Sequence, residues 1–197
     1  MSEVERLPEL KRELRRRILA RRDALTAEER FAWSEQIQKQ FFSLSEYEAA
    51  ERIACFASFG GEVSTGMILR RAIQAGKEVY LPAVHPEGKW LDFYRVQEIY
   101  RDLHPGAFGI YEPKAQGEPA EVAGFDLIVT PGVAFDTAGY RVGYGGGFYD
   151  RVFAEAGNGP LRVALAFDFQ LLPQVPRGPA DRPVHLLITE KRRLRFS

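Results

Sequence analysis

A strand, a glycine-rich loop and a helix follow one another between Phe125 and Ala156, and this junction limits the possible fold more than any other stretch. Residues 125–130 (FDLIVT) form a short apolar run with the look of a buried strand, and residues 148–156 read as a helix with Tyr149, Val152 and Phe153 turned inward. Between them stand Gly139, Gly143, Gly145, Gly146 and Gly147, with Arg141 and Tyr144 interspersed. Glycines at such a junction let backbone N–H groups approach a ligand without Cβ atoms in the way, and the following helix N-terminus adds partial positive charge. The loop therefore suits an anion, above all phosphate. A plain flexible connector is the alternative, but a connector does not need Arg141, Tyr144, Phe148, Tyr149, Asp150 and Arg151 set against its glycines. No Lys-Ser or Lys-Thr follows, so the loop is not a Walker A sequence. Phe148 stands where a dinucleotide fingerprint requires its third glycine.

The rest of the chain alternates in type. Residues 1–44 read as helical, with Leu10, Leu14, Ile18 and Leu25 as one apolar stripe and a capping box from Thr26 to Glu29 opening a second helix through Phe31, Ile37 and Phe41. Strands are expected over 52–58, 78–84, 90–96, 162–167 and 184–189, a helix over 64–75, and an irregular segment over 105–124. Strands alternating with helices predict a three-layer α/β/α domain with a largely parallel sheet and an N-terminal helical segment. At 197 residues the expectation is one domain, 1–197, with helices over 1–44 and a sheet core over 51–197 that carries the glycine loop, 139–151.

Hydrophobic residues make up 45%, and 27 basic residues balance 27 acidic ones, which gives no general bias toward polyanions. No nucleic-acid or membrane partner is expected, and without a signal-like apolar core near the start the reading is cytoplasmic. The single cysteine, Cys55, lies in an apolar run and reads as a buried strand thiol. Oligomeric state is expected to be a monomer or a weak homo-oligomer.

Lys11 and Arg15 are four apart, so they share one helix face, a spacing that can grip a triphosphate. Seven basic residues lie within 11–22, so a solvated face is the competing account for each. Asp150 opens a helix and suits an N-terminal charge or a hard metal ligand. Glu62 falls just past the C-terminal end of an expected strand, where α/β proteins place ligands, although a solvated loop acid is the plain reading. His85, His104 and His185 are scattered and form no zinc motif, and no Gly-x-Ser-x-Gly elbow occurs.

The run Pro131, Gly132, Phe135, Asp136, Gly139, Arg141, Gly143, Gly145, Gly147, Phe148, Tyr149 and Asp150 closely resembles the signature of the 5-formyltetrahydrofolate cyclo-ligase family. Further blocks are similar to that family: 11–15 and 21–26, then 62–65, 76–79, Leu81-Pro82, 109–113, Leu172-Pro173, Asp181 and Thr189-Glu190. The resemblance implies ATP and Mg²⁺ as cofactors. It implies ATP binding by Lys11, Arg12, Glu13, Leu14 and Arg15 and by Arg141, Val142, Gly143, Tyr144, Gly145, Gly146, Gly147, Phe148 and Tyr149. It further implies folate contacts at Ala57, Glu62, Tyr144 and Phe148, Mg²⁺ ligation by Asp150 and Asp181, and catalytic charge from Lys11, Arg15 and Arg141. Phe148 stands where the family usually has tyrosine. Ala180 and His185 replace a histidine and an acid that often flank Asp181. The expected activity is ATP-dependent closure of 5-formyltetrahydrofolate to 5,10-methenyltetrahydrofolate. A non-catalytic folate or nucleotide binder on the same scaffold is the runner-up, and a nucleotide-independent sugar-phosphate isomerase a third reading.

Overall fold

The computed structural model describes residues 3–196. Its centre is a seven-stranded sheet in the order β12-β11-β9-β6-β1-β2-β3. The strands are β1 (Arg52–Ala54), β2 (Glu78–His85), β3 (Trp90–Val96), β6 (Leu127–Thr130), β9 (Leu161–Leu165), β11 (Leu186–Ile188) and β12 (Arg193–Arg195). The five inner strands run parallel, while β3 and β12 close the two edges antiparallel. Alternation along the inner strands sends side chains to two separate cores. Ile53, Val79, Leu127, Val129, Val163 and Ile188 face one side, packed on Ile37 and Phe41 of α2 (Ala27–Phe42) and Ile68 of α4 (Gly66–Gln74). Ala54, Tyr80, Ile128, Ala164 and Leu187 face the other, against Val152 and Phe153 of α6 (Phe148–Ala156). Both faces are covered, as a parallel sheet requires, and the expected three-layer arrangement forms.

The long N-terminal helix α1 (Glu3–Asp23) ends just before the capping box, in which the Thr26 hydroxyl accepts from the Glu29 amide and the Glu29 carboxylate from the Thr26 amide. Instead of joining either main core, α1 buries Leu14 and Ile18 in a third cluster with Val133, Ala134, Val142 and Val175. Leu10 and Phe31, expected in the apolar stripes, are exposed. The inward row of α2 begins only at Ser34, and its neighbour Arg30 takes the inner side by donating to the Leu25 carbonyl.

Other boundaries differ from expectation. The strand expected over 52–58 stops after Ala54. The Cys55 amide still bonds Tyr80, and then the chain leaves the sheet toward Glu62. The segment 105–124 is not simply irregular. β4 (Leu103–Pro105) and β5 (Tyr111–Pro113) pair antiparallel, and Ala120 bridges to Phe93. Short helices α3 (Ser45–Ala49) and α5 (Ile99–Asp102) complete the helical connections. Among the described residues, no helix is long and apolar enough to cross a membrane.

Strand order decides where a ligand can sit. From β1 the chain passes to β2 on one side and later returns to β6 on the other, so the switch point lies between β1 and β6. Loops leaving the carboxyl ends of such neighbours diverge and open a crevice. Here those loops carry Glu62 and the glycine run.

Candidate active site

The connection from β6 to α6 is not one open loop. After Pro131 the chain forms a tight hairpin, β7 (Ala134–Asp136) and β8 (Arg141–Val142), with β10 (Leu171–Leu172) added parallel to β7. The periodicity did not reveal this hairpin because its strands are two and three residues long, shorter than a reliable pattern. Asp136 ties it down: one carboxylate oxygen accepts from the Ala138 and Tyr140 amides, the other from the Val175 amide. Only residues 143–147 remain as free loop. Gly147 precedes α6 with φ of 69°, a left-handed conformation that glycine adopts without strain, and no side chain caps the helix. Gly146 makes room for the Phe148 ring, which a Cβ there would strike at 2.3 Å.

A cavity of about 400 Å³ opens at the switch point. Phe56, Ala57 and Glu62 line it from the segment after β1, Pro82 and Val84 from β2, and Tyr144, Phe148 and Tyr149 from the glycine loop and α6. Phe108, Ile110 and Tyr111, on the β4–β5 arm, form a wall the sequence reading missed. Ala57, Glu62, Tyr144 and Phe148, the four residues singled out for substrate, all line this one cavity. The Tyr149 hydroxyl is buried with no hydrogen-bond partner among the described residues, and burial, with Cys55 and Glu62 nearby, pushes its pKa up.

Basic residues gather at the glycine loop. Arg141 is buried, pairs with Asp150 at 2.9 Å and lies 4.7 Å from the Phe153 ring centroid. Burial lowers its pKa, and Asp150 and Tyr149 work against that shift. α1 brings Arg15 and Lys11 to the same place. Arg15 donates to the Gly143 carbonyl at 2.7 Å, and Lys11 pairs with Asp181 at 2.5 Å. Gly145 lies against the Arg15 guanidinium. Arg12 and Glu13 point the other way, exposed, with Arg12 paired to Glu9. Leu14 and Val142 are packed in the third core cluster.

Asp150 and Asp181 each have one carboxylate oxygen committed. Asp150 accepts from Arg141 and the Arg182 amide, Asp181 from Lys11 and the Gly178 amide. The second oxygen of each takes no hydrogen bond from the described residues. Among these residues no cluster of three or more His, Cys, Asp or Glu could hold a metal, so a cation here would need oxygens from a ligand as well. His185, at the position where an acid was looked for, accepts instead from the Arg162 amide through Nδ1. Cys55 is buried, and burial pushes its thiol pKa up, which makes it inert.

Residues 8–190 match the profile of the 5-formyltetrahydrofolate cyclo-ligase family. The chain belongs to that family. The family's curated enzyme from Escherichia coli K12, 5-formyltetrahydrofolate cyclo-ligase, is 32% identical over 180 residues, covering 87% of this chain and 96% of its own. The mouse enzyme of that name is 32% identical over 190 residues, covering 91% and 93%. Among solved structures, the NMR structure of 5,10-methenyltetrahydrofolate synthetase from Aquifex aeolicus superposes with a TM-score of 0.83 at 39% identity, covering 94% of this chain and 92% of that one. A synthetase from Mycoplasma pneumoniae, 22% identical with a TM-score of 0.74, shares the fold.

Proposed function

We propose that this chain closes 5-formyltetrahydrofolate to 5,10-methenyltetrahydrofolate, with ATP as phosphoryl donor. The observation that carries the reading is one apolar-walled cavity that presents a buried carboxylate, Glu62, and shares its glycine-loop lining with the paired Arg141 and Asp150. A pterin ring fits both features. Its flat faces suit the aromatic and proline walls, and its amino and ring N–H groups suit a carboxylate acceptor.

A formamide oxygen is a poor leaving group, so ring closure needs activation. The formyl oxygen attacks the γ-phosphorus and the bond to ADP breaks. The lone pair of N10 then adds to the formyl carbon, N10 gives up its proton, and the C–O bond breaks with its electrons leaving on phosphate. The protein has little covalent work in this sequence. It holds the reactants in line and surrounds the transferring group with positive charge. Lys11, Arg15 and Arg141 supply that charge, and the loop amides together with the open N-terminus of α6 supply donors. Asp150 and Asp181, hard-oxygen donors each with one oxygen to spare, are the residues that would hold Mg²⁺, which supplies charge neutralisation on the phosphates.

The test follows near-ultraviolet absorbance during incubation with 5-formyltetrahydrofolate and Mg²⁺, with and without ATP. A methenyl band that rises only with ATP is expected. A flat trace from folded protein overturns the reading. Lys11→Ala and Asp150→Ala should each lower turnover by about a hundredfold or more while the circular dichroism spectrum stays native. Either variant turning over like the wild type at saturating ATP removes that residue from the mechanism.

A further inference from the structure

Arg22 was not among the residues singled out from sequence, where it is one of seven basic residues in its segment. It leaves the last turn of α1 and is 3% exposed, yet it has no ion pair with any described residue. A buried guanidinium without a carboxylate is costly unless its charge is answered another way. Here the answer comes through a phenol. Arg22 Nη2 donates to the Tyr144 hydroxyl at 2.8 Å, and that hydroxyl donates onward to Glu62 Oε1 at 2.7 Å. Glu62 Oε2 accepts from the Phe59 amide at 3.0 Å. The Phe59 ring packs on the Tyr144 ring with centroids 5.4 Å apart. Three separate segments, the end of α1, the loop after β1 and the glycine loop, thus meet in one file of cation, hydroxyl and carboxylate.

We infer that Arg22, acting through the Tyr144 hydroxyl, is a positioning residue that keeps Glu62 ionised and aimed for the donor edge of the substrate's ring. The inference rests on the folate reading above. Two adjacent N–H donors of a pterin need two acceptor oxygens, which only an ionised carboxylate offers; a protonated one would oppose donor to donor. Glu62 is buried, and burial raises its pKa, while Tyr144, the Phe59 amide and the charge of Arg22 pull it back. The other groups facing it are few. Tyr149 approaches from α6, Asp23 from α1 lies beside Gly61, and Arg30 from α2 reaches the Gly60 carbonyl. Removing Arg22 therefore takes away the cation whose charge favours the ionised Glu62 and leaves the Tyr144 hydroxyl free to turn.

Calorimetric titration of the whole chain with 5-formyltetrahydrofolate, without ATP, over about pH 5 to 8 tests this. Wild-type affinity should fall on the acid side as Glu62 takes up a proton. Arg22→Met should bind about tenfold more weakly near neutral pH, with its acid limb moved to higher pH. Tyr144→Phe, which breaks the file at its middle, should behave likewise, and Arg22→Lys, which keeps the charge, should keep the limb near its wild-type place. The KM for ATP should not change in Arg22→Met or Arg22→Lys. An unmoved limb in Arg22→Met overturns the inference, as does tighter binding by Tyr144→Phe, since the phenol would then only be competing with the ligand. If Arg22→Met does not fold, Tyr144→Phe and Arg22→Lys decide by the same limb. A wild type that binds no folate at all defeats the folate reading itself, a separate outcome.

Discussion

Asp136 shows how one residue can be conspicuous in sequence and still belong to the framework. It stands in the signature run beside Arg141 and Asp150, and an acid there invites a chemical role. The structure gives it a different one. It is 1% exposed and accepts from three backbone amides, so it fixes the β7–β8 turn from which the glycine loop departs. Asp136→Ala leaves three amides without their acceptor, which should cost about 3 kcal/mol or more in urea denaturation. Substrate KM in the protein that remains folded should be little changed. A large rise in KM with normal stability would instead put Asp136 in the site. Arg22 teaches the converse. Its role depends on Tyr144 and Glu62, which lie 122 and 40 positions away in the chain, and no local pattern announces such a meeting.

Elements differ in how they hold the cavity. The glycine loop is anchored at both ends, by Asp136 and by α6, whereas the opposite wall hangs on the β4–β5 arm. Phe108 and Tyr111 on that arm are exposed, and Phe108 has φ of 58°. What fixes the arm is Glu112, 7% exposed, which accepts from the Ala107 amide at 2.7 Å and from the Val84 amide of β2 at 3.2 Å. Glu112→Ala should free the arm from β2 and raise the KM for the folate several-fold, with the KM for ATP unchanged. Equal changes in both constants would mean that the arm does not act as a wall for the folate alone. The element scale also marks the limit of what the sequence disclosed. Long periodic pieces such as α2, β3 and α6 were legible because each carries enough turns or alternations to show its period. The β7–β8 hairpin and the β4–β5 arm were not, since each strand has three residues or fewer and its pairing is set by tertiary contacts. The glycine run and Glu62 could be placed near each other from strand ends alone. The packing of α1 onto the hairpin, which carries Lys11 and Arg15 to the loop, could not.

Over the whole molecule, β9 and β11 pair along the sheet, and one hydrogen bond at the end of that pairing depends on a protonation state. His185 Nδ1 accepts from the Arg162 amide, so the ring must be neutral there, and the Arg162 guanidinium in turn donates to the Phe153, Gly157 and Pro183 carbonyls. Burial lowers the His185 pKa, and the charges of Arg162 and Arg195 lower it further. The sign of the effect on folding follows from linkage. With the folded pKa below the ordinary value of about 6.5, the unfolded chain binds the proton first. The contribution is therefore complete above that value and is lost as pH falls through the lowered one. Urea midpoints measured at falling pH should drop in this window for the wild type. His185→Asn can still offer an oxygen to the Arg162 amide but takes up no proton, so its midpoints should fall less over the same range. Parallel curves for the two proteins would show that acid acts elsewhere, on the carboxylates. A flatter curve would show that His185 carries part of the acid sensitivity of the contact between β9 and β11.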